Sequence, residues 1–124
     1  MIVGLGIDVV ALPRVERMWR RWGERIAARV LRGEERQALP TGEPRVIEWL
    51  AGRIAAKEAA SKALGAPAGI HWHDAEVRAA RPGPPTLRWH GVAAARVAAL
   101  GVTGALVSIT HDAGFAAAVV VLER

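Results

Sequence analysis

The chain of 124 residues is long enough for one domain with a modest core, and its 52% apolar content argues against disorder. The absence of cysteine excludes a disulfide framework, a thiolate zinc site and a cysteine nucleophile. The net charge of +5 indicates an acidic partner, whether a nucleic acid, a phosphorylated ligand or an acidic protein. We therefore expect a single domain over residues 1–124.

The N-terminal segment predicts a buried strand over residues 2–8, in which Gly4 and Gly6 allow close approach of another backbone. Asp8 lies at the exit of this strand. The segment has no basic start, and Asp8 interrupts it before any apolar stretch is long enough for export. The longest strongly apolar run, residues 115–122, is far too short to span a membrane. The sequence therefore predicts a cytoplasmic protein without a membrane segment.

The next segment predicts one long helix from Pro13 to about Arg32, ended by Gly33. Its apolar residues recur at helical spacing: Val15, Met18, Trp19, Trp22, Ile26 and Val30. The opposite face carries a basic stripe: Arg14, Arg17, Arg21 and Arg25. A stripe of this kind is usually no more than solvated surface. The density of arginine here favours a docking surface for an acidic partner.

The rest of the chain predicts a second long helix followed by strands. The helix runs from about Val46 to Leu64, is closed by Gly65, and follows a short helical turn at 34–39. The later elements are strands at 75–79, 86–90, 102–110 and 115–123, and a helix at 92–100. The last two strands form a hairpin, and the last is apolar on both faces, as a central strand would be. The order predicts an α+β domain with an antiparallel sheet packed against the long helix.

Lysine occurs only twice among seventeen basic residues, within the stretch Lys57-Glu58-Ala59-Ala60-Ser61-Lys62. A lysine is a compact point charge on a flexible stem, so it can meet a phosphate oxygen in a way arginine does not. On a helix, Glu58 and Lys62 share one face. This pattern fits either an ordinary surface ion pair or a carboxylate and an ammonium directed into one cleft.

Asp8 is a turn residue, a helix cap or a ligand at the point where a buried strand surfaces. If it meets Glu58 in space, the two carboxylates suit Mg²⁺, which binds one or two carboxylates, several waters and substrate phosphate oxygens. Lys57 and Lys62 would then contact the same phosphates. The sequence contains both parts of a phosphate-handling site, and whether they meet depends on the fold.

Three segments resemble the holo-[acyl-carrier-protein] synthases, the small bacterial 4′-phosphopantetheinyl transferases: Gly6–Val10, Ala51–Gly65 and Val107–Asp112. The resemblance implies the fold of that family and Mg²⁺-dependent transfer of 4′-phosphopantetheine from coenzyme A to a serine of an apo acyl carrier protein. The leaving group is 3′,5′-ADP, and the reaction serves fatty acid biosynthesis. It also implies a homotrimer with active sites between subunits.

The resemblance assigns roles to individual residues. It implies that Asp8 and Glu58 hold Mg²⁺, that Lys62 completes the catalytic set by contacting the coenzyme A phosphates, and that Arg14 docks the acidic carrier protein. Further coenzyme A contacts are implied for Lys57, Ser61, Gly65, Gly83, Pro85 and His111. Glu58 and a water on the metal are both candidate bases for the serine proton. Ile54 departs from the family pattern, which usually has an aromatic residue at this position.

Two other functional classes remain open. A nucleic-acid-binding module would explain the basic stripe through phosphate contacts, but it would not explain Asp8 and Glu58. A non-catalytic trimeric scaffold would leave both lysines without a role. The His71-x-His73 spacing is typical of metal ligands, but no third ligand lies nearby in the sequence, which favours a structural role.

Overall fold

A computed structural model describes residues 1–79 and 81–124. Five strands and five helices are present in these ranges: β1 (Ile2–Ala11), α1 (Leu12–Trp22), α2 (Glu24–Val30), α3 (Gly33–Gln37), α4 (Glu43–Ala63), β2 (Ala75–Arg78), β3 (Thr86–Trp89), α5 (Gly91–Leu100), β4 (Gly104–Asp112) and β5 (Phe115–Glu123). A short 3₁₀ helix, Trp72–Asp74, precedes β2. None of the helices in the described ranges has the length and hydropathy that a membrane span requires. The α+β prediction is confirmed.

The main sheet is antiparallel, with β5 between β1 and β4. The predicted central strand is therefore confirmed, and the two-residue turn Ala113–Gly114 joins it to β4. Asp8 and Ile109 both pair with Ala118, so they lie in one row across the sheet. A second small sheet contains β2 and β3, which are also antiparallel.

Helix α4 crosses one face of the main sheet at very short range. A Cβ atom on Gly6 would lie 2.7 Å from the Ala63 nitrogen and would overlap the Ala59 carbonyl, so only glycine permits this contact. Ile54 is 2% exposed within the core beneath this helix. An aliphatic side chain therefore fills the position where the family pattern has an aromatic one.

The prediction of one continuous helix from Pro13 to Arg32 is wrong. The chain breaks at Gly23, whose φ of 54° and ψ of −135° are readily accessible only to glycine. Helix α2 then ends at Val30, and Gly33 begins α3 rather than ending the earlier helix. The predicted basic stripe is interrupted between Arg21 and Arg25. These two residues still meet, because both guanidinium groups lie over the Trp22 ring, at 4.9 and 5.2 Å.

Candidate active site

Asp8 and Lys62 are in direct contact. Asp8 lies on the face of β1 that carries Gly6 and packs under α4, and Lys62 lies near the end of α4. The Lys62 ammonium donates to Asp8 Oδ1 and to the Ile7 carbonyl, both at 3.0 Å. The close approach at Gly6 thus brings a carboxylate from residue 8 to a lysine 54 positions later.

Glu58 lies one turn before Lys62 on α4 and shares its face, at a spacing of about 6 Å between Cβ atoms. Its Oε1 accepts a 2.6 Å hydrogen bond from the indole nitrogen of Trp72. Since Lys62 contacts Asp8, the two predicted metal ligands face the same part of the molecule. The hydrogen bonds found in the described ranges use one oxygen of Asp8 and one of Glu58.

This donor set fits Mg²⁺. It offers two carboxylates, and Mg²⁺ accepts one or two of them together with water and substrate oxygens. Within residues 1–79 and 81–124, no group of three or more His, Asp or Glu side chains could hold an ion. A metal that needs an all-protein cage, such as structural zinc, is therefore not matched by this site.

The prediction for Lys57 needs correction. Its side chain is fully buried, and the ammonium donates to Glu35 Oε1 at 2.9 Å, the Trp72 carbonyl at 2.9 Å and the Ala75 carbonyl at 2.6 Å. Burial lowers the pKa of Lys57, and the Glu35 carboxylate opposes that shift. All three N–H groups are occupied, so Lys57 has no donor left for a phosphate. A lysine is required at this position because three acceptors surround a single nitrogen atom.

Three other predicted residues, Gly83, Pro85 and His111, line one cavity of about 440 Å³. His111 Nε2 lies 3.0 Å from Glu48 Oε1 at its wall. Sequence reasoning missed three arginines that line the same cavity: Arg45, Arg53 and Arg81. A signal was present, because five of the lining residues follow helical spacing on α4: Arg45, Glu48, Trp49, Gly52 and Arg53.

Arg53 is the most confined of these arginines. Its guanidinium stacks over Trp49 at 4.6 Å, and burial lowers its pKa. Its Nε is buried without a hydrogen-bond partner in the described ranges. A buried donor without a partner is unfavourable, so an anion in the cavity would stabilise it.

The predicted site residues thus form two groups along α4. Ser61 and Gly65 lie beside Lys62 at the C-terminal end of the helix, with Asp8 and Glu58, whereas the cavity lies at the N-terminal half. The nine steps along the helix from Arg53 to Lys62 correspond to a rise of about 14 Å. A ligand that contacts both groups must therefore be long.

The predicted docking arginines are exposed on α1 and α2. Beside them is a groove of about 450 Å³ with apolar walls and a basic rim, lined by Met18, Trp22, Arg25, Ile26, Arg29 and Trp72. Sequence reasoning missed Arg29 and Trp72. Trp72 is also the hydrogen-bond donor to Glu58, so the groove adjoins that carboxylate.

His71 and His73 do not converge on a metal in this arrangement. His73 Nε2 is 2.8 Å from the Ala28 carbonyl, and the His71 backbone N–H donates to Asp74 Oδ2 at 3.1 Å. These contacts join the 3₁₀ helix to α2. They agree with the structural role expected for this pair.

Comparison with known proteins decides the family. The family model described as the 4′-phosphopantetheinyl transferase superfamily matches residues 4–120. The chain belongs to this superfamily. Among curated relatives of this phosphopantetheinyl transferase, a holo-[acyl-carrier-protein] synthase of Streptomyces griseus is 51% identical over 123 residues, covering 99% of each chain. A relative of the same name from Nitratidesulfovibrio vulgaris is 49% identical over 125 residues, again covering 99% of each.

Solved structures agree with this placement. The holo-[acyl-carrier-protein] synthase of Neisseria meningitidis aligns with a TM-score of 0.85 at 30% identity and covers 100% of both chains. A Bacillus anthracis synthase in complex with CoA (3′,5′-ADP) aligns with a TM-score of 0.79 at 37% identity, covering 98% of this chain and 96% of its own. The resemblance of the three sequence segments to this family is confirmed.

Replacement of each lysine of this phosphopantetheinyl transferase by arginine is expected to affect stability to very different extents. Lys57→Arg is expected to lower the free energy of unfolding by about 3 kcal/mol, since a planar guanidinium cannot serve three acceptors around one buried nitrogen. This corresponds to a fall of roughly 10 °C in Tm for a domain of this size. Lys62→Arg, on a side chain that is 53% exposed, should change stability by less than about 0.5 kcal/mol.

The measurement is thermal unfolding followed by circular dichroism, with all proteins at the same protomer concentration. Equal melting temperatures for the two variants would contradict the structural role assigned to Lys57.

Proposed function

We propose that this phosphopantetheinyl transferase is a holo-[acyl-carrier-protein] synthase of the cytoplasm. It transfers the 4′-phosphopantetheine group from coenzyme A to a serine of an apo acyl carrier protein, releases 3′,5′-ADP, and serves fatty acid biosynthesis. The observation that carries this proposal is the contact of Lys62 with Asp8. Glu58 lies one turn before Lys62 on the same helix, in a chain about half identical to synthases of that name over its full length.

The cavity at the N-terminal half of α4 is the proposed site for the nucleotide part of coenzyme A. Arg45, Arg53 and Arg81 give it positive charge, which favours the binding of phosphate oxygens. Related synthases from Helicobacter pylori and Bacillus anthracis have been solved in complex with coenzyme A. Gly83, Pro85 and His111 border the same space and are proposed to shape it around the ligand.

Asp8 and Glu58 are the proposed Mg²⁺ ligands, and the bound ion would offset the charge that develops on the pyrophosphate as its bond breaks. Lys62 adds a second positive charge beside them. Its exposed, flexible stem lets the ammonium exchange its contact with Asp8 for a phosphate oxygen. The nucleophile is the serine of the carrier protein, and Glu58 and a water on the metal are the two candidates for accepting its proton.

The test of this function is transfer measured by mass spectrometry. The protein, coenzyme A, Mg²⁺ and an apo carrier protein should yield a carrier protein heavier by one phosphopantetheine. Asp8→Ala and Glu58→Ala should each slow transfer by about 10²-fold or more, because each removes a charge that acts on the reacting phosphates. Chelation should stop transfer, and excess Mg²⁺ should restore it.

Glu34→Ala is the matched control, because Glu34 is an exposed carboxylate whose one ion pair within residues 1–79 and 81–124 is with the surface residue Arg78. It should leave the rate unchanged. Normal transfer by the Asp8 or Glu58 variant would show that these carboxylates are not the metal site. Salt-dependent binding of nucleic acid without any transfer would favour the rival function.

The exposed arginines of α1 and α2 are the proposed docking surface for the acidic carrier protein. Arg14→Glu is expected to raise the KM for the carrier protein by about tenfold with little change in kcat, because rim charges mainly steer and orient a partner. The KM for coenzyme A should stay the same. The difference from the unmodified protein should shrink as ionic strength rises.

Arg88→Glu makes the same charge reversal on β3, away from this surface, and serves as control. The comparison is made by steady-state kinetics at two salt concentrations. If Arg14→Glu raises both KM values equally, or if Arg88→Glu has the same effect, the docking surface lies elsewhere.

A homotrimer with active sites between subunits is also proposed. The main sheet face opposite α4 exposes large apolar side chains, including Leu5, Ile7, Val9, Leu106 and Phe115, each at least half exposed. A contiguous apolar face of this kind is typical of a protein interface. The separation of the coenzyme A cavity from Asp8 and Glu58 along α4 favours sites that use two chains.

Leu106→Glu is expected to convert the trimer to monomers, because it places a charge on the apolar face. Sedimentation velocity should show one smaller species, and transfer activity should fall with trimer content. Val92→Glu changes an exposed apolar residue on α5 and should leave the assembly intact. A monomeric unmodified protein with full activity would overturn this proposal.

A further inference from the structure

Trp72 is hydrogen-bonded to two consecutive residues of α4. Its indole N–H donates to Glu58 Oε1 at 2.6 Å, and its carbonyl accepts from the Lys57 ammonium at 2.9 Å. The first contact fixes the ring, and the second fixes the backbone that carries it. The sequence analysis assigned no functional role to Trp72, and the proposed function does not use it.

The backbone around Trp72 is itself firmly held. The Lys57 ammonium also donates to the Ala75 carbonyl and to Glu35 Oε1. The other oxygen of Glu35 accepts from the Val77 backbone N–H at 3.0 Å, so the buried pair of Lys57 and Glu35 joins α3, α4 and the start of β2. Because Lys57 and Glu35 are almost completely buried, water does not compete for these bonds.

We propose that Trp72 is a positioning residue for the Glu58 carboxylate. The indole N–H holds Oε1, so Oε2 is left to the metal, and the carboxylate does not lose side-chain freedom when the ion binds. This inference rests on the proposed function, in which Glu58 is a Mg²⁺ ligand. This proposal also gives Lys57 a role, because its ammonium holds the Trp72 carbonyl and the Trp72 indole holds Glu58.

The contact is strong for its type. A hydrogen bond to an ionised acceptor is shorter and stronger than one between neutral groups, and 2.6 Å lies at the short end for nitrogen and oxygen. Loss of a partner that orients a metal ligand typically weakens metal binding by 10- to 100-fold. Phenylalanine keeps one aromatic ring but has no N–H and is smaller than tryptophan. Trp72→Phe therefore removes this contact together with some packing, and a second Trp→Phe variant controls for the loss of volume.

The first test measures metal affinity directly. Binding of Mn²⁺, used in place of Mg²⁺, is followed in the presence of coenzyme A by loss of the free-ion electron paramagnetic resonance signal. Trp72→Phe should raise the Kd for Mn²⁺ about tenfold, and the Mg²⁺ concentration for half-maximal transfer should rise by a similar factor. Transfer should recover at high Mg²⁺, which damage to the fold would not allow.

Trp89→Phe is the matched control, because Trp89 is a partly buried tryptophan like Trp72 but lies on β3, and Glu58 Oε1 accepts from Trp72. It should leave the Kd for Mn²⁺ unchanged. If both variants bind Mn²⁺ as the unmodified protein does, Trp72 does not position Glu58. A variant whose rate stays low at saturating Mg²⁺, with unchanged Kd, would also overturn the inference.

The second test does not depend on catalysis or on Trp72→Phe folding well. Each of the five tryptophans has one indole N–H, so a ¹H–¹⁵N spectrum should contain five indole cross-peaks. Glu58→Ala should move the Trp72 cross-peak upfield, and Glu34→Ala should leave it in place. If Glu58→Ala leaves this cross-peak in place, the inferred hydrogen bond is wrong even in an active enzyme.

The two proposals therefore fail in different ways. An unmodified protein that neither binds Mn²⁺ with coenzyme A nor transfers phosphopantetheine would overturn the proposed function. In an active unmodified protein, equal Mn²⁺ affinities for Trp72→Phe and Trp89→Phe would overturn only the role of Trp72.

Discussion

The close approach of α4 to β1 determines where every other part of the candidate site lies. A helix and a strand come this near only where the strand has no side chains. Gly4 and Gly6 meet this requirement where β1 lies against the backbone of Ala59 and Ala63. Two residues further along β1, the side chain on the same face is Asp8. The helix brings Lys62 and, one turn earlier, Glu58. The constraint is steric, yet its consequence is the contact of the Asp8 carboxylate with the Lys62 ammonium, one helical turn from Glu58.

The two lysines illustrate how the same side chain serves opposite purposes in adjacent turns of one helix. Lys57 is buried, and its ammonium donates to three fixed acceptors. These hydrogen bonds form a rigid connection between α4 and the segment before β2. Lys62 is about half exposed, so water reaches its ammonium and weakens its contact with Asp8, although the Asp8 side chain is only 16% exposed. Because this contact is weak, the Lys62 ammonium can exchange the Asp8 carboxylate for a phosphate at little cost in free energy.

Most of the fold could be predicted from local pattern, and the errors have physical causes. The two-sided apolar run at 115–122 correctly predicted the central strand β5. The break at Gly23 was missed because apolar spacing continues across it, from Trp22 to Ile26, while the change of direction depends on one backbone angle. In the site, Asp8 and Glu58 were predicted from residue type and resemblance. The partner of Lys57 was not, because Glu35 lies on a separate short helix and periodicity carries no information about such contacts.

The role of Trp72 could not be predicted either, because its contact with Glu58 joins two separate elements of the chain. Its position connects the groove on α1 and α2 with the carboxylate on α4. One side of the residue lines the groove beside the docking arginines, and its indole nitrogen contacts Glu58. A carrier protein seated in that groove would cover this hydrogen bond and exclude water from it, which strengthens an interaction with a charged acceptor. Docking and carboxylate orientation would then be coupled through a single side chain. Such coupling would favour the reaction, because the Glu58 carboxylate would be held most firmly when the partner that carries the reacting serine is bound.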